Sequence, residues 1–371
     1  MNKLAKILAL TLVLGLLTGC AGTPVVVDPN AGNTEVSTDA EASATTDAEA
    51  GATADAETSA TSGATSEVEV AEGAVKTGLA ILGNLSKSAD KTVEYDVTLV
   101  AVLVDDNGVI VDCAIDAVGT KVNFNENGEI TTDLTAAVKT KNELGSDYGM
   151  VAWGKAVAEW DAQAEALAQH AIGKTVEELK NGSIDASGKA VAGTDLASTA
   201  TMYLGGYVAG IEAAVVNAKH LGAQAGDEVR LASTNDLASS TAATADKAGN
   251  AQLNTEVVAL SVKDGVITSC YFDALQAKVA FTAEGITSDV TVATKTKNQL
   301  GSDYGMVAWG KAIAEWDAQA ASFAAYVTGK TLAEVEGIAV SETTAPTEAD
   351  LVSSVTIAVG GFQANIKKAL Q

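Results

Sequence analysis

The sequence predicts an α+β protein of two tandem repeats, each an antiparallel β-meander with helices packed on one side. Three observations carry that expectation. A segment of 26 residues occurs twice, apolar β-rich runs broken by Asn-Gly or Asp-Gly precede each occurrence, and an Ala-rich stretch of helical composition runs through and beyond it.

Residues 139–164, KTKNELGSDYGMVAWGKAVAEWDAQA, and residues 295–320, KTKNQLGSDYGMVAWGKAIAEWDAQA, differ only at Glu143/Gln299 and Val157/Ile313. The match extends upstream, where VIVDCAIDAVGTKVNF from Val109 pairs with VITSCYFDALQAKVAF from Val266. It also extends downstream, where DLASTATMYLGGYVAGI from Asp195 pairs with DLVSSVTIAVGGFQANI from Asp350. A period of about 156 residues suits a whole domain rather than a solenoid unit. It divides the folded part into repeats at 76–222 and 223–371.

Each repeat opens with strands. In the first these are Thr92 to Val104 and Val109 to Val118, separated by Asp105-Asp106-Asn107-Gly108, whose Asn-Gly signals a hairpin; the second has Lys263-Asp264-Gly265 there. A later turn at Asn127-Gly128 or Glu284-Gly285 extends the meander. A helix is expected from Met150 to Ala171, because Trp153, Trp160 and Leu167 recur every seven residues and would share a face. Gly173 and Gly329 stop these helices, and Gly-Lys-Thr restarts a short one at Thr175 or Thr331. The glycine that a phosphate loop needs four residues earlier is missing. A last helix is expected after each Asp-Leu, ending near Lys219 and Lys368.

The N-terminus reads differently. Met-Asn-Lys-Leu-Ala-Lys is basic, and the apolar run from Ile7 to Leu17 is too short to span a bilayer, so residues 1–19 read as a signal peptide. Leu17-Thr18-Gly19-Cys20 resembles the bacterial lipobox, which implies a lipid (diacylglycerol, with palmitate-type chains) on Cys20 and a place on the extracytoplasmic face of the cell membrane. From Ala21 to Val75 there are eleven acids and no base among Ala, Thr, Ser and Gly. Such a composition buries too little apolar surface to fold, so residues 20–75 read as a disordered stalk with a reach of roughly 40 Å.

The formal charge is −25, with one arginine, Arg230, and no basic run. That disfavours nucleic acid as a partner. Cys113 and Cys270 occupy equivalent places in strand-like runs and read as buried thiols; a bridge would require their strands to meet. His170 and His220 have no counterparts, the former being matched by Tyr326, so no histidine metal site is expected. No catalytic residues emerge, because no nucleophile and base recur together.

Two segments could carry function. The first is Asp195-Leu196-Ala197-Ser198-Thr199-Ala200-Thr201 with its partner Asp350-Leu351-Val352-Ser353-Ser354-Val355-Thr356, both ahead of a helix. This segment resembles the motif D-x-x-[ST]-G-A-T of the FMN-binding domain family, found in a sodium-pumping quinone reductase subunit and in flavinylated lipoproteins. The resemblance implies FMN as a cofactor, esterified through its phosphate to Thr201 and Thr356, with Asp195, Ser198, Asp350 and Ser353 shaping the motif. It implies a flavin transferase and a membrane reductase as partners, and an electron carrier rather than an enzyme with its own substrate. Thr199 and Ser354 stand where the family has glycine, and Val355 where it has alanine. A phosphoester in the first turn of a helix would gain from free N–H groups and the helix dipole; Asp, Ser and Thr at a helix start are equally ordinary caps.

The second is LGSDYGMVAWGK, in which Ser146, Asp147 and Lys155 lie among Tyr148, Met150 and Trp153. It reads as a pocket wall or as an amphipathic helix, with Asp147, Glu159 and Asp161 on a solvated face. Without flavin, the alternative function is a surface module, or cell-surface antigen, that binds a small ligand or a protein.

Overall fold

The computed structural model describes residues 73–371, so the segment expected to be a signal peptide, Cys20 and the expected stalk up to residue 72 lie outside the described residues. The fold is α+β. In the first half, β1 (Lys76–Asn84), β2 (Thr92–Val104) and β3 (Ile110–Asn123) form an antiparallel sheet in chain order. Five helical pieces follow: α1 (Lys141–Leu144), α2 (Trp160–Ala171), α3 (Val176–Glu178), α4 (Asp195–Thr199) and α5 (Gly205–Val216). In the second half, β4 (Glu228–Asp236), β5 (Gly249–Lys263), β6 (Val266–Thr282) and β7 (Gly285–Ile286) form a second antiparallel sheet. It is followed by α6 (Lys297–Leu300), α7 (Trp316–Val327), α8 (Leu332–Glu336) and α9 (Gly360–Leu370).

The strands alternate strictly only at their far ends. Leu99 to Val104 and Val257 to Leu260 are buried without interruption, which a strand requires when both faces of its sheet are covered. One cover is the other sheet: Leu79, Leu99, Leu103, Leu253, Val257 and Val279 belong to one apolar layer shared by the two halves. The other cover is helical. Residues such as Val100, Val102 and Ile115 face α2 and α5, and Val258, Leu260 and Phe272 face α7 and α9. The order of layers is therefore helix, sheet, sheet, helix. Each fully buried Leu or Val side chain contributes about 1.5–3 kcal/mol, so the shared layer ties the halves into one unit.

Specific contacts fix how the sheets meet. Phe124 and Phe281, at matching ends of β3 and β6, stack at 4.1 Å between ring centroids. Thr77 Oγ1 lies 2.6 Å from Ser269 Oγ, and at the opposite edge Val229 N–H donates to Asp112 Oδ2 at 2.8 Å. Cys113 and Cys270 are buried free thiols. They face the separate helical layers, with the two sheets between them, so they cannot bridge.

Four expectations need correction. β1 was not foreseen, and Val75, assigned to the stalk, is buried and donates its N–H to Ala223. The helix expected from Met150 begins at Trp160, because the Glu159 carboxylate accepts the N–H groups of Met150 at 2.8 Å and Val151 at 3.1 Å and folds the preceding segment into turns. Trp153 therefore leaves the helix, and Trp160 alone of the two tryptophans enters the core. Finally, the last helix of the first half, which follows the Asp-Leu motif held mostly in α4, starts at Gly205 and stops at Val216 rather than near Lys219.

Candidate functional site

The Asp-Leu motif of the first half forms α4, capped by Thr194, whose hydroxyl accepts Ala197 N–H at 3.3 Å. Asp195 is thus the first helical residue rather than the cap. Ser198 Oγ donates to Asp195 O at 2.6 Å. Leu196 and Ala200 are buried, which anchors the segment, while Asp195, Ser198, Thr199 and Thr201 are exposed. In the second half Leu351 and Val355 provide the anchors, and Asp350, Ser353 and Thr356 are exposed on a turn. Val355 is accommodated because its side chain points into the core, 0% exposed.

Thr201 and Thr356 do not stand in the first turn of a helix, as the sequence had implied. Three residues separate each from the start of α5 or α9. Their backbone is held instead by a buried glutamine. Gln163 Oε1 accepts Thr201 N–H at 2.8 Å and Met202 N–H at 3.0 Å, while its Nε2 donates to Ala158 O at 2.8 Å. Gln319 does the same for Thr356 at 2.8 Å, Ile357 at 3.2 Å and Ala314 O at 2.8 Å. Both glutamines are fully buried. An unsatisfied amide there would be costly, so each threonine is locked relative to the preceding loop while its hydroxyl stays at the surface. Thr356 Oγ1 also reaches Gln319 Oε1 at 3.1 Å.

The loop on the other side of each glutamine is residues 150–159 or 306–315. Its tryptophan is open to solvent: Trp153 is 86% and Trp309 88% exposed. Each ring lies over a glycine with a left-handed backbone, Gly149 or Gly305, where a Cβ would come within 2.3 or 2.2 Å of the indole. Val151, Val157, Val307 and Ile313 are also exposed. The expected pocket wall is thus a protruding apolar loop. Behind it, Lys141 lies 5.0 Å from the Tyr148 ring centroid and 5.2 Å from that of Trp160, and Lys297 lies 5.0 and 4.7 Å from Tyr304 and Trp316. Asp161, expected on a solvated face, and its counterpart Asp317 each bury Oδ1 without a partner.

Buried carboxylates hold α1 and α6 to the sheets. Asp273 Oδ1 accepts N–H groups from Ala274 and Asn298, yet burial raises its pKa to about 6; Asp116 is placed alike and shifted the same way by burial. The two histidines are apart from each other, and His170 is near enough to the motif for the Asp195 carboxylate to act on it. His170 bonds Ser183 at 2.8 Å, with burial lowering its pKa, and His220 meets Asp106 at 3.0 Å. Among the described residues no three His, Cys, Asp or Glu side chains converge as metal ligands.

Sequence reasoning missed one further feature, a pocket of about 570 Å³ between α7, β6 and the connection Lys219–Gly222, walled by Tyr271, Phe272, Ala318 and Ala321. Ala321 stands where the first half has Glu165. No motif threonine lines it. The sequence matches no family model, and no curated protein or solved structure is similar enough to align with it.

Proposed function

We propose that this chain is a membrane-anchored surface lipoprotein built from two copies of one FMN-binding-like domain, and that it carries electrons on flavin esterified to Thr201 and Thr356. The observation that supports this reading most is the paired geometry of the motif threonines: an exposed hydroxyl on a backbone fixed by a buried glutamine, in both halves. A modifying enzyme needs an accessible hydroxyl, and a carrier needs its cofactor held in one place.

The residues accept the group with one difference from the sequence expectation. The N–H groups of Thr201 and Met202 already serve Gln163, so the ester bond, and not a helix end, would hold the phosphate. The loop of Trp153, tied to the same glutamine, offers an aromatic surface for a flat ring. Bound FMN supplies the redox chemistry. The chain's own residues orient it and leave it open to partners, here a flavin transferase and a membrane reductase. The lipid on Cys20 and the stalk would keep both copies near that reductase.

A second reading, a non-redox module that binds a small ligand, is supported by the apolar pocket beside α7, which lies within the size range of small-molecule sites and involves no motif residue.

The test is visible absorbance and intact mass of the protein from its native host, denatured to strip loose ligand. Yellow protein with FMN-phosphoryl increments on Thr201 or Thr356, lost in Thr201→Ala and Thr356→Ala, supports the carrier. Colourless protein of unmodified mass overturns it and leaves the binding module.

A further inference from the structure

We propose that the second half holds a binding site for a small phosphorylated molecule, formed by Lys278, Lys295 and Lys297 on the open end of the helix-facing side of the second sheet. The three lysines line one pocket of about 300 Å³ with Gln276 and Tyr304. None of them forms an ion pair among the described residues. In a chain of 48 acidic residues against 23 Lys and Arg, three lysines without an ion pair at one place need a cause.

The first half supplies the contrast. Its corresponding residues are Lys121, Lys139 and Lys141, but the neighbouring strand carries Glu94 and Asp96. Glu94 neutralises Lys121 at 2.7 Å, and Asp96 binds Lys87 beside it. In the second half the residues in the same register, opposite Lys278 and Gln276, are the amides Gln252 and Asn254. They bond to each other at 2.6 Å, Gln252 accepts from Asn250 at 3.1 Å, and Asn254 donates to Asp236 at 3.1 Å. Two carboxylates beside the first lysine are thus exchanged for amides of similar shape, which leaves Lys278 without the partner that Lys121 has; the acids of this face, Asp236 and Glu256, stand where the first half has Asn84 and Thr98 and line the adjoining pocket rather than this one.

The rest of the pocket is built. Lys297 is half-buried and fixed over Tyr304 and Trp316, and Tyr304 Oη donates to Gln276 Oε1 at 3.3 Å, so two walls are positioned without a ligand. Asp303, on the rim, is exposed and has its counterpart in Asp147, so it does not distinguish the halves. Lysines act as point charges and suit a phosphate dianion with three acceptor oxygens, whereas the planar fork that matches a carboxylate belongs to arginine, and none lines this pocket.

The experiment is calorimetric titration of the full chain with phenyl phosphate at low salt, with phenol as the uncharged control. Saturable binding of phenyl phosphate alone, weakened at least about tenfold in Lys278→Gln/Lys295→Gln and in Gln252→Glu/Asn254→Asp, is expected, because each pair removes or neutralises local positive charge. Glu94→Gln/Asp96→Asn changes the other half and should leave that binding as it is. Thr356→Ala should retain it too, which separates this site from the flavin ester. Absence of saturation, or affinity unchanged from the parent chain in the second-half variants, overturns the proposal; circular dichroism confirms that the variants fold, as the altered lysines are exposed.

Discussion

The two halves keep the same side chain where it serves the fold and change it where it meets solvent or the other half. Glu143 and Gln299 illustrate this within the most similar segment of the chain. Both close a capping box, accepting the N–H of Thr140 at 2.8 Å and of Thr296 at 3.0 Å. The carboxylate of Glu143 additionally meets Lys368, from the end of α9, at 2.6 Å. Capping needs only an acceptor, so an amide suffices; an ion pair across the halves needs the charge. The same logic separates Glu94 and Asp96 from Gln252 and Asn254.

The comparison breaks most readily at Gly78, whose register counterpart in β4 is the exposed Arg230. A Cβ at Gly78 would stand 2.0 Å from Ala214 O in α5. Gly78→Ala should therefore cost about 3 kcal/mol or more, because the contact is backbone and cannot swing aside. Arg230→Ala should be near neutral, its salt bridge to Glu228 being exposed. Chemical denaturation of both variants is the measurement, and equal effects would show that α5 and α9 sit on their sheets in the same way.

Next come the glutamines, where the halves should agree. Gln163→Ala or Gln319→Ala strands two N–H groups and one carbonyl in a buried place, and each should cost about 2–4 kcal/mol. Each should also loosen its own threonine, seen as faster amide exchange at Thr201 in one variant and Thr356 in the other. Exchange that rises in both halves together would mean that the motifs are coupled through the shared core.

These glutamines show where the sequence stops being readable. Strands were legible because turn residues punctuate them, and the two-residue Asp264-Gly265 hairpin lies where expected. The uninterrupted apolar run Leu99 to Val104 reads only as a strand of a sheet with helices on one side, and the second sheet that covers its other face was not foreseen. β1 was illegible: its apolar core is short, carries Gly78 and Gly83, and follows an acidic stretch. Periodicity stretched α2 back to Met150 since alanine gives no boundary, although Gly149 and Gly154 around Trp153 marked one. At the candidate site the threonines were found by motif, but Gln163 was not, because a glutamine on an amphipathic helix reads as surface until its partners, 38 residues on, are known.

A third test concerns Glu256, a residue without a charged counterpart in the first half, where Thr98 lies opposite Ala117 as Glu256 lies opposite Ala274. Its Oε1 is buried without a partner against Gly361, and burial raises its pKa to about 7 even though Lys297 lowers it. A carboxyl whose folded pKa lies above its unfolded value of 4.5 gives its full stabilisation below pH 4.5 and loses it as pH rises through about 7. Glu256→Gln should therefore match the parent at pH 4 and exceed it by about 2 kcal/mol at pH 8. A variant that is less stable at pH 8 would mean that the charge is compensated in the fold.

The smallest expected effect returns to the residue that opened the comparison. Burial pushes the Glu143 carboxyl up, but Lys368 and the Thr140 N–H together hold it below its ordinary value. A lowered folded pKa gives stability that is present above the unfolded pKa and lost as pH falls through the folded one. Both partners are about one-third exposed, so solvent screens the pair and Glu143→Gln should cost only about 0.5 kcal/mol at pH 7. The cost should vanish in acid and in high salt, since the glutamine keeps the cap that Gln299 already makes. Denaturation of Glu143→Gln, Lys368→Gln and the double variant across pH separates the two roles: coupling confined to neutral pH assigns the charge to the contact between halves, whereas a constant loss at every pH assigns it to the cap and removes the distinction drawn between Glu143 and Gln299.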